Sequence, residues 1–203
     1  MIVIVDYGMG NLGSIANMLK KLKVKCTISS DLFRIAEAEK IILPGVGAFD
    51  TAIKQIDKLG LREVLLDFAL TKEKPLLGIC LGMQLLMDSS EEGILPGLGL
   101  IKGRAHHFKA HITGNEKVPH MGWNDVSIQN KNEMTQGFED DARFYFVHSF
   151  FVQVENAHHS MMRSVHGIEF DAGVRLNNIV GVQFHPEKSH KYGKQLFENF
   201  ANN

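Results

Sequence analysis

The chain has 203 residues, 44% of them hydrophobic, with 22 Lys+Arg against 23 Asp+Glu for a formal charge of -1. That length predicts one self-supporting domain spanning the whole chain, needing neither disulfides nor metal to fold, and the balanced charge excludes a general polyanion-binding role. The two cysteines, Cys26 and Cys80, allow one disulfide by arithmetic but no secreted framework, and no apolar run reaches the ~20 residues of a membrane helix.

In chain order, the β-branched run Ile2–Val5 ends at Asp6 with no basic segment before it, so it predicts a strand rather than a signal peptide. A cytoplasmic protein is expected. Asn11–Lys23 places Leu12, Ile15, Ala16, Leu19 and Leu22 at helical spacing. Val24–Ser29 and Lys40–Leu43 are further strands, and Phe49–Leu70 is helical with a break near Gly60. Pro75–Cys80 is a fourth strand, and Leu81–Met87 begins another helix. Strands alternating with helices imply right-handed βαβ units on a parallel sheet. Further on, Ile101–Phe108, Asp125–Gln129, Phe144–Val154 and Ser160–Val165 are short, strand-like and separated by turn residues, which predicts antiparallel hairpins. Ile179–Phe184 is a late strand, and Lys191–Phe200 an amphipathic closing helix. The expected class is α/β, with a mixed, largely parallel central sheet flanked by helices.

Two glycine motifs compete for the functional reading. Gly8-Met9-Gly10-Asn11-Leu12-Gly13 follows a strand, opens a helix and fits G-x-G-x-x-G, with Asp31 near the place of a ribose-binding acid. That allows a dinucleotide-binding oxidoreductase; the plain alternative is a tight strand–helix turn. Gly78-Ile79-Cys80-Leu81-Gly82 has the form of a nucleophile elbow, in which a strained turn lifts the nucleophile to the carboxyl edge of the sheet and requires small neighbours. A helix N-terminus behind the sulfur favours thiolate, and the Leu81 N–H would point at a developing oxyanion.

A thiolate nucleophile needs a base and a group to orient it. Of the ten histidines, His185 ends an apolar strand and is followed by Pro186 and Glu187. In an extended segment residues i and i+2 share a side, so Glu187 can hold the His185 ring. His120 and His148 each have a structural alternative as hydrogen-bonded core or hairpin residues. His106, His107 and His111 lie close in sequence, but no cysteine or clear carboxylate pattern completes a metal site, and no metal or other cofactor is expected.

Pro44-Gly45-Val46-Gly47, Gly78-Ile79-Cys80-Leu81-Gly82-Met83-Gln84 and His185-Pro186-Glu187 together resemble the class I (triad) glutamine amidotransferases, over essentially the whole chain. The resemblance implies Cys80 as nucleophile on the glutamine side-chain amide, His185 as base and acid, and Glu187 as its orienting group. It implies an oxyanion hole from Val46, Gly47 and Leu81, and a glutamine site at Gly47, Gln84, Ser149 and Phe150. A narrower resemblance, to the glutaminase subunits of imidazole glycerol phosphate synthases, rests on Asp6–Leu12, His120–Asn124, Tyr145–Ser149 and Gly181–Ser189. It implies a heterodimer with a (β/α)8-barrel cyclase subunit that consumes the ammonia through a channel, in histidine biosynthesis, with Gly10, Asn11, Trp123, Asn124 and Lys188 at the interface. Phe150 stands where a tyrosine is common, and the stretch 164–178 is less aromatic than expected. Those departures leave open a paralogue that supplies ammonia for acetamidino-sugar formation in surface polysaccharide synthesis.

Overall fold

The computed structural model describes residues 1–138 and 142–203. The first half alternates strand and helix: β1 (Ile2–Val5), α1 (Leu12–Lys21), β2 (Cys26–Ser29), α2 (Leu32–Ala36), β3 (Lys40–Gly45), α3 (Phe49–Lys58), α4 (Leu61–Leu66), β4 (Leu76–Cys80) and α5 (Leu81–Leu85). A π-helical turn, Asp67–Thr71, extends α4. The second half contains β5 (Ser89–Ser90), β6 (Gly103–His107), β7 (His120–Asp125), β8 (Ser127–Ile128), β9 (Arg143–His148), β10 (Phe150–Val154), β11 (Ser160–His166), β12 (Ile168–Leu176), β13 (Ile179–Val182) and α6 (His190–Asn202).

Strands β2, β1, β3, β4 and β13 lie side by side and parallel. Antiparallel β12 continues the sheet from β13, followed by β10 and β6, with β5 at the far edge. Strand β11 pairs with β12 and β8, while β7 and β9 form a separate two-stranded sheet. This is the mixed, largely parallel α/β architecture that the sequence predicts.

The inner parallel strands β1, β3, β4 and β13 are buried almost throughout because both their faces are covered. On one face Val3, Val5, Ile41, Leu43 and Leu76 pack under Phe49, Ile53 and Ile56 of α3 and Leu61 and Leu65 of α4. On the other, Ile2, Ile4, Ile42, Leu77 and Ile79 meet Ile15 and Leu19 of α1 and Leu196, Phe197 and Phe200 of α6.

The structure departs from the sequence expectation in several elements: β5 and β7 are not among the predicted strands, and three others show why. Helix α2 escapes a periodicity search because it has only five residues; the Asp31 carboxylate caps it by accepting from the Arg34 N–H at 2.7 Å. Strand β12 carries Asp171 and Gly173 at its centre, which lowers its local strand preference. It forms because β10, β11 and β13 all pair with it. The predicted strand Phe144–Val154 breaks at Ser149 into β9 and β10, which lie in different sheets.

Both cysteines are free. Strands β1 and β3 stand between Cys26 on β2 and Cys80 on β4, a separation of about 14 Å at strand spacing. A disulfide needs its two Cα atoms within about 7 Å, so the bridge that arithmetic allows is excluded by topology. Among the described residues no helix is long and apolar enough to cross a membrane.

Candidate active site

The carboxyl ends of β3, β4 and β13 are neighbours, in a register that sets Gly45 beside Cys80 and Val182 beside Ile79. The loop after β3, the cysteine after β4 and the histidine after β13 therefore emerge at one edge. In an open α/β sheet this edge is where ligands bind.

Cys80 is the last residue of β4 and the N-cap of α5, with φ 56° and ψ −110°. A non-glycine residue in that region costs about 1–3 kcal/mol and persists only where its surroundings enforce it. Backbone contact enforces it here. A Cβ on Gly82 would lie 1.9 Å from the Leu43 carbonyl oxygen, and one on Gly78 would lie 2.7 Å from that of Gly82. The flanking glycines let the elbow pack directly on β3, as the motif predicts.

His185 stands three residues beyond β13, and Glu187 lies in the 3-10 turn Pro186–Lys188. The expected extended i, i+2 geometry is thus replaced by a turn, which delivers the same contact: His185 Nδ1 lies 2.8 Å from Glu187 Oε1. Both side chains are almost fully buried. Ser189 anchors the turn, donating to the His185 carbonyl at 2.6 Å and accepting from the Tyr145 N–H at 3.0 Å, while His185 N–H donates to the Tyr145 carbonyl at 2.9 Å. Strand β9 therefore fixes where His185 sits. Burial alone would lower the His185 pKa; Cys80 and Glu187 outweigh it and push the imidazole well above its ordinary value. His185 Nε2, the nitrogen not engaged by Glu187, is buried without a hydrogen-bond partner, which leaves it free to carry a moving proton.

A cleft of about 360 Å³ opens at this edge, within the range of small-molecule sites. Val46, Gly47, Cys80, Leu81, Gln84, Ser149, Phe150 and His185 all line it, so the expected nucleophile, base, oxyanion and glutamine-site residues meet at one cavity. Glu187 supports them from behind. Gln84 is buried, and its amide nitrogen donates to the Phe150 carbonyl and to Gln183 Oε1, both at 3.2 Å. Gln183 in turn donates to Cys80 Sγ at 3.8 Å. Neither Gln183 nor His148, which also lines the cleft, has a predicted role at the site. For Gln183 the sequence carries only a lone polar side chain inside the apolar run Ile179–Phe184, and the structure buries it fully.

His148 pairs across the small sheet with His120, Nε2 to Nδ1 at 3.0 Å, and its own Nδ1 meets the Phe150 carbonyl at 2.7 Å. The structural alternative considered for these two residues is the one the fold realises. Burial lowers His148 to about 3 and His120 to about 4, so both are neutral near pH 7.

The expected interface residues diverge. Trp123 is 43% exposed, stacked on the His190 ring at 5.4 Å, and Lys188 is exposed with its ammonium over Tyr145. Asn124 instead turns inward, its amide nitrogen 3.1 Å from His120 Nε2 and 2.8 Å from the Val165 carbonyl. Asn11 starts α1, and Gly10 lies against the Pro44 ring. Asp31, the candidate ribose acid, is engaged as a helix cap.

The family model for glutamine amidotransferase class-I matches residues 3–203. The chain belongs to that family. Its activity as an amidotransferase subunit is the hydrolysis of glutamine, and the dinucleotide reading of Gly8–Gly13 gives way to that of a strand–helix turn. The amidotransferase is 47% identical over 203 residues to the imidazole glycerol phosphate synthase subunit HisH of Bdellovibrio bacteriovorus, covering 99% of each chain. It is 48% identical over 200 residues to the imidazole glycerol phosphate synthase subunit HisH 2 of Methanococcus maripaludis, covering 98% of each. A chain in the structure of PurLQS from Thermotoga maritima superposes with a TM-score of 0.75 at 22% identity, covering 99% of this chain and 97% of that one, a likeness of fold alone.

Proposed function

We propose that the chain is the glutaminase subunit of an imidazole glycerol phosphate synthase, releasing ammonia from glutamine and passing it to a (β/α)8-barrel cyclase subunit in histidine biosynthesis. The buried His185–Glu187 pair beside the strained Cys80 elbow carries this reading. The Cys80 thiolate attacks the side-chain amide carbon of glutamine. Negative charge develops on the amide oxygen, and the backbone N–H groups of Leu81 and of the Val46–Gly47 turn stabilise it. The His185 imidazolium gives its proton to the leaving nitrogen, and ammonia departs. Water, deprotonated by His185, then cleaves the thioester to glutamate and restores the thiol. Gln84, Ser149 and Phe150 hold the amino-acid end of the substrate. A reducing, cytoplasmic setting suits a free thiol at the centre of the chemistry.

Val46, which lines the cleft, is 44% exposed, and on β7 Met121, paired with the cleft-lining Val147, and Trp123 are 63% and 43% exposed, apolar surface of the kind a partner covers. With Lys188 and the Gly10–Asn11 turn, these make the docking face for the cyclase subunit. Glutamate release by the assembled pair is the test. Cys80→Ala is expected to abolish it, and full turnover by that variant would overturn the mechanism. Trp123→Ala is expected to leave the triad intact but weaken association with the barrel subunit by about 30-fold, as loss of an aromatic anchor does, measured by calorimetric titration.

A second reading keeps the glutaminase and changes the acceptor: ammonia for acetamidino-sugar formation. The number 2 in the name of the Methanococcus maripaludis relative fits a further copy of such a subunit. Ammonia transfer assayed with each candidate barrel separates the two readings.

A further inference from the structure

Away from the cleft, Glu91, His106 and His111 each bring one potential ligand atom to within 4.8 Å of the others. We propose that these three residues form a binding site for a divalent transition-metal ion, with Zn2+ as its type. The sheet register builds it. Strand β5 pairs with β6 so that Ser90 stands beside Ala105, which sets Glu91, the next residue, against His106. Glu91 Oε1 and His106 Nδ1 are 3.0 Å apart. Neighbouring ligand atoms on a tetrahedral zinc ion, with bonds of about 2.1 Å, are about 3.4 Å apart, so this pair is already close to the required spacing.

The third ligand arrives because the 3-10 turn Phe108–Ala110 folds the chain back, His111 N–H donating to the Phe108 carbonyl at 2.9 Å. The two imidazoles then meet edge-on at 5.1 Å, and both pack on Phe151, at 5.6 Å and 5.4 Å. Ring orientation is thus fixed before any ion arrives. The carboxylate is fixed as well, because its second oxygen accepts the His107 N–H at 2.7 Å.

Two imidazoles and one carboxylate suit zinc, cobalt, nickel or copper and disfavour magnesium or calcium. Three protein ligands leave a position for water, so the ion is exchangeable. The site also bears on the cleft wall, since the His107 ring lies edge-on to Phe150 at 4.7 Å and Phe150 lines the cavity.

The test is calorimetric titration of ZnCl2 into the tag-free chain carrying Cys80→Ser and Cys26→Ser, which removes both thiols as competing ligands, with Mg2+ as control. Saturable uptake of one zinc per chain and a raised melting temperature are expected, with no response to Mg2+. His106→Ala and His111→Ala are each expected to weaken zinc binding at least tenfold, since loss of even an outer partner of a metal ligand costs that much. His111 is exposed, so His111→Ala is expected to melt as the parent does without metal. His158→Ala, at the other pair of adjacent histidines, is expected to bind zinc as the parent does. No saturable uptake, or zinc affinity unchanged by both His106→Ala and His111→Ala, would overturn the proposal.

Discussion

Glu187 touches the chemistry only through His185, yet it fixes two properties of that ring. It holds the Nδ1–H at 2.8 Å, which leaves Nε2 to move the proton, and its charge helps keep the imidazole protonated. Replacing it by glutamine keeps the shape and removes the charge. In the proposed mechanism Glu187→Gln is expected to lower kcat by roughly 10³–10⁴-fold, on the scale of the equivalent loss in serine triads. The direction on the pH axis follows from the sign of the shift. A raised pKa means that the proton-donating form survives to alkaline pH, and removing a cause of that rise brings the pKa down. The alkaline limb of kcat/KM is therefore expected to move to lower pH in the variant, read from the pH profile of glutamate release. A limb that stays in place would show that Glu187 does not tune His185. At this scale Cys80, His185 and Glu187 were legible as candidates, because Cys80 sits in a short glycine-flanked motif and His185 and Glu187 stand two residues apart at a strand end. The contacts of Gln183 and Ser189 were not legible, and His120 and His148 were legible only as hydrogen-bonded residues without named partners. Their roles depend on partners far along the chain, as in the bond of Gln183 to Cys80 Sγ and of Ser189 to the Tyr145 N–H.

Strand β12 was hidden in the sequence by the residue that secures it. Asp171 is buried; its carboxylate accepts from Ser160 Oγ at 2.6 Å and from the Val154 N–H at 2.9 Å, so it joins β10, β11 and β12. An acidic residue at mid-strand argues against a strand when read locally. With its oxygens satisfied by two neighbouring strands it becomes a fastening. Asp171→Ala leaves a buried N–H and a hydroxyl without their acceptor, at about 1–3 kcal/mol for each group left unmade. A loss of about 2–4 kcal/mol is expected, measured by urea unfolding, while the same substitution at exposed Asp125 is expected to change stability by under about 0.5 kcal/mol. Equal effects at the two positions would contradict the account. Long-range pairing also explains the split of Phe144–Val154: apolar residues stand on both sides of His148-Ser149, and the pairing of β9 with β7 and of β10 with β6 makes Ser149 a break between two sheets.

Across the whole molecule, acid stability should be governed by the buried histidine pair. His120 and His148 are lowered in the fold, to about 4 and about 3, so the unfolded chain binds their protons more readily. Their contribution is complete above the ordinary imidazole value and is lost as pH falls from about 6.5 towards 4. His185 has the opposite sign: its contribution is complete throughout that window and is lost only as pH rises through its raised value. Stability is therefore expected to fall by about 1.4 kcal/mol per pH unit for each proton taken up on unfolding between pH 6.5 and 4.5, followed by urea unfolding at successive pH values. His148→Gln is expected to flatten that slope, and an unchanged slope would remove the pair as its cause. The sequence by itself determined the parallel half of the sheet and the elbow, and it singled out Cys80, His185 and Glu187, because strand–helix alternation, glycine spacing and a strand-ending histidine are local patterns. Only the tertiary structure decided which antiparallel strands pair, the inward turn of Asn124, the meeting of Glu91 with His106 and His111, and the separation of Cys26 from Cys80. Those outcomes rest on which strands lie side by side, a property of long-range burial and pairing that no short stretch of residues encodes.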